Sequence, residues 1–415
     1  VIGLKLEFKG ACREVGRSAV LVDDRIMMDY GIKPGEVTQY PVNGARPEAV
    51  LVSHAHLDHS GAVPGLMDIA PDVYMTPLTF DLAGMLARDT IRIAERSGEI
   101  AAFDSTDLSR FVENTHRIEP GLKFHTHGYN AQFYDAGHIP GAAAIYLEDK
   151  NEKSVYYTGD INTIDTRLVS GATDFPDADA LIIESTYFGE DHPPRKEIEK
   201  AFIDSLMDTI NVGGNVIVPA FAIGRTQEIL MLLDAHGIKA YVDGLGVSAY
   251  KIMIKHPDAL RNPAHLQRAF TNAIMVDGPK RDRVPLESAV IVTTAGMLNG
   301  GPVLYYLKKL YKDPKSKILI TGYQVEGTNG RMALDNGIIE NDGVIQQLGI
   351  KVEQYDFSAH CGDRELKQIV RNFSDRGTEH VFTMHGEDTE GFAEWVRNET
   401  GLDAHAPQLG ERFTV

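Results

Sequence analysis

The 415-residue sequence holds two cysteines, Cys12 and Cys361. So few cysteines exclude a disulfide framework and point to a reducing compartment, so a cytoplasmic protein is expected. They equally exclude a zinc site built from thiolates, and any metal must be held by His and carboxylates. No apolar run approaches the roughly 18–20 residues that cross a membrane, and no membrane association is expected. The opening Val1–Phe8 stretch alternates like a strand and lacks the pattern of a signal peptide. Internal repeats and low-complexity segments are missing too. Positive charge is in deficit: 41 Lys and Arg stand against 59 Asp and Glu, a net charge of −18. That balance argues against an indiscriminate nucleic-acid binder. What remains is an ordinary globular composition, 43% hydrophobic and 24% charged. At about 100–200 residues per domain, two to three domains are expected.

The acidity is uneven. Residues 189–349 carry 18 basic and 18 acidic side chains, so the whole excess lies in 1–188 and 350–415. Two domains with different tasks would show such a split. Drift in surface charge would too. In the first part, Ser18–Val22 and Arg25–Asp29 flank an Asp23-Asp24 turn and read as a hairpin. Glu48–Ser53 suits a buried strand, and residues 79–116 read as largely helical. Strand signals recur at 132–135, 143–147, 154–157 and 180–184. From about residue 195 helices and strands alternate regularly, the pattern of a parallel sheet with helices on its faces.

The most specific stretch is Ser53-His54-Ala55-His56-Leu57-Asp58-His59-Ser60. Side chains two apart in an extended loop share a face, so His54 and His56 can meet one ion. Asp58 and His59, past the bend, can point to a second. An isolated His is usually packed or solvated; four ligand-type residues within six positions are hard to explain that way. Imidazole and carboxylate suit zinc, with manganese or iron as competitors. Further candidates follow strand-like runs: His138 in Asp135-Ala136-Gly137-His138, Asp160 in Tyr157-Thr158-Gly159-Asp160, and His385 in Met384-His385-Gly386-Glu387.

In this order the motifs resemble the metallo-β-lactamase superfamily, in which an HxHxDH loop, a later His and a later Asp build a dinuclear site on a β-sandwich. Asp29, in Met27-Met28-Asp29-Tyr30, resembles the Asp that supports that loop. Leu181-Ile182-Ile183-Glu184-Ser185-Thr186 resembles motif A of the β-CASP nucleases. Phe357-Ser358-Ala359-His360 resembles motif B, and Met384-His385-Gly386-Glu387 motif C. Between motifs A and B lie about 160 residues, the place of the inserted β-CASP domain. Pro219–Glu228, Thr294–Met297 and Gly322–Thr328 resemble the cleavage and polyadenylation specificity factor (CPSF) branch. So does the Ser-Ala-His form of motif B, where ribonuclease J more often has Ser-Gly-His. With Val1 so close to the first strand, no KH module is expected. The nearest resemblance is to KH-less archaeal CPSF-like nucleases, and the next to ribonuclease J.

The resemblance implies an α/β fold: an αββα metallo-β-lactamase sandwich over 1–188 and 350–415, with a parallel-sheet β-CASP domain inserted at 189–349. It implies two Zn2+, or Mn2+ in their place. His54, His56 and His138 would hold one, Asp58, His59 and His385 the other, with Asp160 bridging. His360 would be the general acid, Glu184 its partner, and Asp58 would share in catalysis. The implied reaction is hydrolysis of single-stranded RNA to 3′-hydroxyl and 5′-phosphate ends, endonucleolytic, 5′–3′ exonucleolytic or both, in RNA processing or decay. Arg225 and Arg331 beside glycines are candidate phosphate contacts, and Lys280–Arg283 with Lys308-Lys309 would extend a basic track. A homodimer and RNA-processing protein partners are allowed by analogy. A small-molecule hydrolase of the lactonase or thioesterase type is the main alternative class, but it would need neither His360 nor the long insert. An inactive scaffold is the other, and such chains lose ligands that are all present here.

Overall fold

The computed structural model describes residues 3–35, 37–98, 100–341 and 343–415. Its chain divides into two compact units, one of Val1–Asp165, Ser170–Asp191 and Ala359–Val415, the other of Thr166–Val169 and His192–Ser358. The strand Lys351–Gln354 pairs in parallel with Lys317–Ile320 and so belongs to the second unit's sheet. The second unit therefore runs past the sequence-based boundary at residue 349.

The first unit is built on two seven-stranded sheets. One has the order 412–414, 5–8, 20–22, 26–28, 49–51, 72–75, 115–117; the other 403–405, 380–384, 180–184, 154–157, 143–148, 129–135, 123–126. The expected first strand covers Lys5–Phe8, and Val1 and Ile2 lie outside the described residues. Period-two alternation sends side chains to opposite faces. In Ala180–Glu184, Ala180 and Ile182 enter the core between the sheets, while Leu181 and Ile183 pack with Leu366, Ile369, Phe373 and Phe392 of helices Asp363–Asp375 and Thr389–Thr400. Both faces of that strand are buried, which is why it reads as an unbroken apolar run.

The helix expected over 79–116 is two. The first, Pro77–Ser97, ends where Gly98 adopts a left-handed φ of 74°. The second, Ser105–Glu113, starts at an Asp104 capping box. Thr115–Arg117 is then the edge strand.

The second unit centres on a six-stranded, all-parallel sheet in the order 274–276, 241–243, 290–293, 216–219, 317–320, 351–354. Helix Val303–Leu310 covers part of it through Val303, Tyr306, Leu307 and Leu310, which pack with Ile217, Ile291 and Ile318. A separate hairpin joins Ile338–Asn341 to Val344–Gln347.

Candidate metal centre

Strands 154–157, 180–184 and 380–384 are parallel neighbours, so their C-terminal ends lie on one side. That side collects Asp160, Glu184 and His385. Strands 26–28 and 49–51 are likewise parallel and deliver Asp29 and the His54–His59 loop from the other sheet. His138 comes from the connection between strands 129–135 and 143–148. His360 precedes helix Asp363–Asp375, in a segment tied down by the Cys361 N–H donating to the Ile161 carbonyl at 2.7 Å.

All seven expected ligands meet there. His54, His56, His138 and Asp160 bring ligand atoms within 4.8 Å of one another, and so do Asp58, His59, Asp160 and His385. Asp160 belongs to both quartets and also to a triplet with Glu184 and His360. An ion with tetrahedral bonds of about 2.0–2.1 Å spaces its ligand atoms about 3.3–3.4 Å apart. In the first quartet Asp160 Oδ2 lies 3.5 Å from His54 Nε2 and 3.6 Å from His138 Nε2. In the second, Asp160 Oδ1 lies 3.2 Å from His59 Nε2, and His385 Nε2 lies 3.2 Å from Asp58 Oδ2. His54 Nε2 is fully buried with no hydrogen-bond partner among the described residues, an arrangement suited to a metal and costly without one.

The surrounding hydrogen bonds assign the tautomers. His59 Nδ1 donates to Asp29 Oδ2 at 2.7 Å and His138 Nδ1 to the Ala359 carbonyl at 2.9 Å. The Ser53 hydroxyl donates to Asp29 at 2.7 Å, so its oxygen accepts from His54 Nδ1 at 3.0 Å. Thr186 donates to the His385 carbonyl at 3.2 Å, which leaves its oxygen to accept from His385 Nδ1. In these four rings Nε2 is then the nitrogen turned toward the cluster. His56 instead turns Nδ1 toward the cluster, 3.2 Å from His138 Nε2.

Charge follows the same plan. Burial pushes His54 and His138 well below the usual imidazole range. Burial would lower His59 too, but Asp160, Asp29 and Asp58 raise it well above. Burial would raise Asp160, yet His59, His385 and His360 hold it far down. Anionic carboxylates inside a buried site are thus balanced by protons on imidazoles, the positions a dication would take over. His360 Nδ1 donates to Glu184, 2.9 Å from each oxygen, and Nε2 lies 3.9 Å from Asp160 Oδ2. Burial opposes protonation of His360, but Glu184 and Asp160 raise it to about 9.

The expected RNA contacts fall in the other unit. Arg225 opens helix Arg225–Ala235 and helps hold the Asp356 carboxyl low, while Arg331 pairs with Asp335 at 2.7 Å. The proposed basic track is largely committed to carboxylates: Arg281 to Asp243, Lys280 to Asp277 and Lys309 to Asp282. Ser53, Thr186 and Tyr157 were not singled out from the sequence, although all three stand inside or beside its motifs. A tyrosine in a buried strand was the one readable signal, since its hydroxyl needs a partner.

Domain profiles match three stretches: the β-lactamase superfamily domain over residues 33–212, the Beta-Casp domain over 226–332, and the Zn-dependent metallo-hydrolase RNA specificity domain over 347–407. A protein of Methanocaldococcus jannaschii named probable RNase MJ4 is 36% identical over 436 residues, covering 99% of this chain and 100% of that one. The chain belongs to the β-CASP family of metallo-β-lactamase-fold hydrolases. The RNase aCSPSF2 of Saccharolobus solfataricus is 34% identical, with 99% of this chain and 85% of that one covered. An RNase J-like protein of Methanocaldococcus jannaschii is 37% identical, with 92% of each covered. As a β-CASP protein the chain is a metal-dependent hydrolase, and its His and Asp cluster is able to hold metal. Among the described residues no helix is long and apolar enough to cross a membrane.

Proposed function

We propose that the chain is a zinc-dependent ribonuclease that hydrolyses single-stranded RNA at a two-zinc centre, leaving 3′-hydroxyl and 5′-phosphate ends. The observation that carries this reading is the double use of Asp160, shared by two ligand quartets and adjoining His360. His54, His56 and His138 with Asp160 would hold one zinc; Asp58, His59 and His385 with Asp160 the other. Such a pair supplies a nucleophile at neutral pH and neutralises phosphate charge. His360 carries the proton on Nε2 for the departing 3′ oxygen, and Glu184 fixes that proton's ring by taking the Nδ1–H. The names of the relatives and the RNA specificity domain favour RNA as substrate over a lactone or thioester. Arg225 and Arg331 are proposed phosphate contacts, and the two buried free cysteines suit a cytoplasmic setting.

The test is a time course on 5′-monophosphorylated single-stranded RNA, labelled at either end in separate reactions. Cleavage is expected, lost on chelation and restored by zinc. His360→Ala should slow it by about 10²–10⁴. Immediate release of mononucleotide from the 5′ label marks an exonuclease; discrete internal fragments from both labels mark an endonuclease. A zinc-loaded chain that leaves RNA intact and opens a lactone or thioester would overturn the proposal.

A further inference from the structure

We infer that Tyr157 is a positioning residue of the metal centre, whose phenol ties the strand that presents Asp160 to the carboxylate that orients one histidine in each quartet. The inference rests on the metal-binding reading above and names a residue outside the ligand set.

Tyr157 closes the strand Ser154–Tyr157, and alternation turns it into the core between the two sheets with Val155, while Tyr156 faces the helices. It is 2% exposed. Packing alone would be served as well by phenylalanine, which has no buried hydroxyl to satisfy. The phenol instead crosses to the opposite sheet and donates to Asp29 Oδ2 at 2.8 Å. Asp29 is fully buried and held at a left-handed φ of 57°, a conformation that non-glycine residues keep only when their surroundings over-determine it.

The carboxylate of Asp29 then acts in two directions. Its Oδ2 accepts His59 Nδ1, a ligand candidate of the second quartet, at 2.7 Å. It also takes the proton of the Ser53 hydroxyl at 2.7 Å, which makes the Ser53 oxygen an acceptor for His54 Nδ1, in the first quartet. Its Oδ1 accepts the Ser53 N–H at 2.7 Å, anchoring the start of the ligand loop. Tyr157 itself stands three residues before Asp160, the residue common to both quartets. One side chain thus connects the backbone that carries Asp160 to the group that aims His54 and His59. The spans it governs are His59 Nε2 to Asp160 Oδ1 at 3.2 Å and His54 Nε2 to Asp160 Oδ2 at 3.5 Å. A few tenths of an ångström of slippage between the sheets would spoil both at once. Loss of the phenol leaves Asp29 three other donors, so the carboxylate is not orphaned and the fold should survive.

The test uses the full chain with Co2+ as a spectroscopic stand-in for zinc. Parental protein, Tyr157→Phe, Asp29→Asn and the double variant are titrated against a competing chelator, and their metal-free forms are melted by circular dichroism. Tyr157→Phe should melt close to the parental metal-free protein, bind Co2+ about 10–100-fold more weakly and show altered visible bands. The double variant should bind no more weakly than Asp29→Asn alone, because both changes act through one carboxylate. Parental affinity and spectrum in Tyr157→Phe would overturn the inference, and so would losses that add in the double variant or a Tyr157→Phe chain that does not fold. A parental chain that binds no Co2+ would overturn the metal reading as well, which separates the two failures.

Discussion

At the scale of single residues the centre is a set of rings whose protons are already placed. Glu184 shows what depends on this. Its Oε1 accepts the Ile161 N–H at 2.7 Å as well as the His360 ring. Glu184→Gln replaces an anion with a group that can accept at one atom only. RNA cleavage should fall about 10–100-fold while bound zinc, measured by elemental analysis, stays at the parental level. A matching loss of zinc would show that Glu184 serves the ligands rather than His360. The residue types in the HxHxDH run, and their capacity to bind metal, were readable because they sit within six positions. The partners that set the tautomers were not, because the chain separates them: Tyr157 and Asp29 are 128 residues apart, His138 and Ala359 221. Spacing in sequence carries no information about such pairs.

At the scale of elements, the site inherits its geometry from parallel strands packed on a hydrophobic core. Phe382, in the strand that leads into His385, is fully buried, its ring 5.2 Å from Phe8 and 5.0 Å from Phe413. Phe382→Ala should destabilise the first unit by about 3–5 kcal/mol, read from the shift in urea midpoint. An unchanged midpoint would mean that this strand is not part of the cooperative core. In the second unit, Glu353 joins helix Arg195–Asn211 to strand Lys317–Ile320 through Ser205 and Lys317. Burial would raise its carboxyl, but Lys317, Ser205 and Tyr355 hold it below the usual range. A lowered folded value adds stability above the unfolded pKa of about 4.3, lost as pH falls through the folded value. Glu353→Gln should therefore lower stability at neutral pH, with the difference shrinking as pH falls through the folded value in urea titrations. Equal penalties at neutral and acidic pH would remove the carboxylate charge from the account.

At the scale of the whole molecule, every expected ligand lies in one of the two units, so metal should stabilise that unit selectively. A ligand at a hundredfold its Kd adds about 2.7 kcal/mol to the state that binds it. In calorimetry with and without chelator, the transition of the metal-bearing unit should move and any separately resolved transition of the inserted unit should not. If both moved equally, the two would unfold as one. The net charge of −18 is spread unevenly, and the charge-balanced stretch 189–349 is also where the candidate phosphate contacts lie. Much of its basic surface is nonetheless paired with carboxylates, as at Arg281 with Asp243. Charge counts along the chain cannot register that pairing.

The sequence alone was enough for the alternation of strands and helices and for the metal-binding residue types of the HxHxDH run, because hydrophobic alternation and a run of His and Asp are local signals with a local physical cause; the fold family and the grouping of the candidates came from the resemblance. The sequence was also enough to exclude thiolate zinc, since two cysteines cannot make such a site. Tertiary structure decided three other things. It brought Asp160, marked as bridging only by the family resemblance, within reach of both quartets, because strand order in a sheet is not written in spacing. It decided that the helical stretch breaks at Gly98 and restarts at Asp104, where caps outweigh a continuous apolar pattern. And it decided which ring nitrogen faces the cluster, because a proton settles on the nitrogen that finds an acceptor, and those acceptors reach the site only when distant strands pack together.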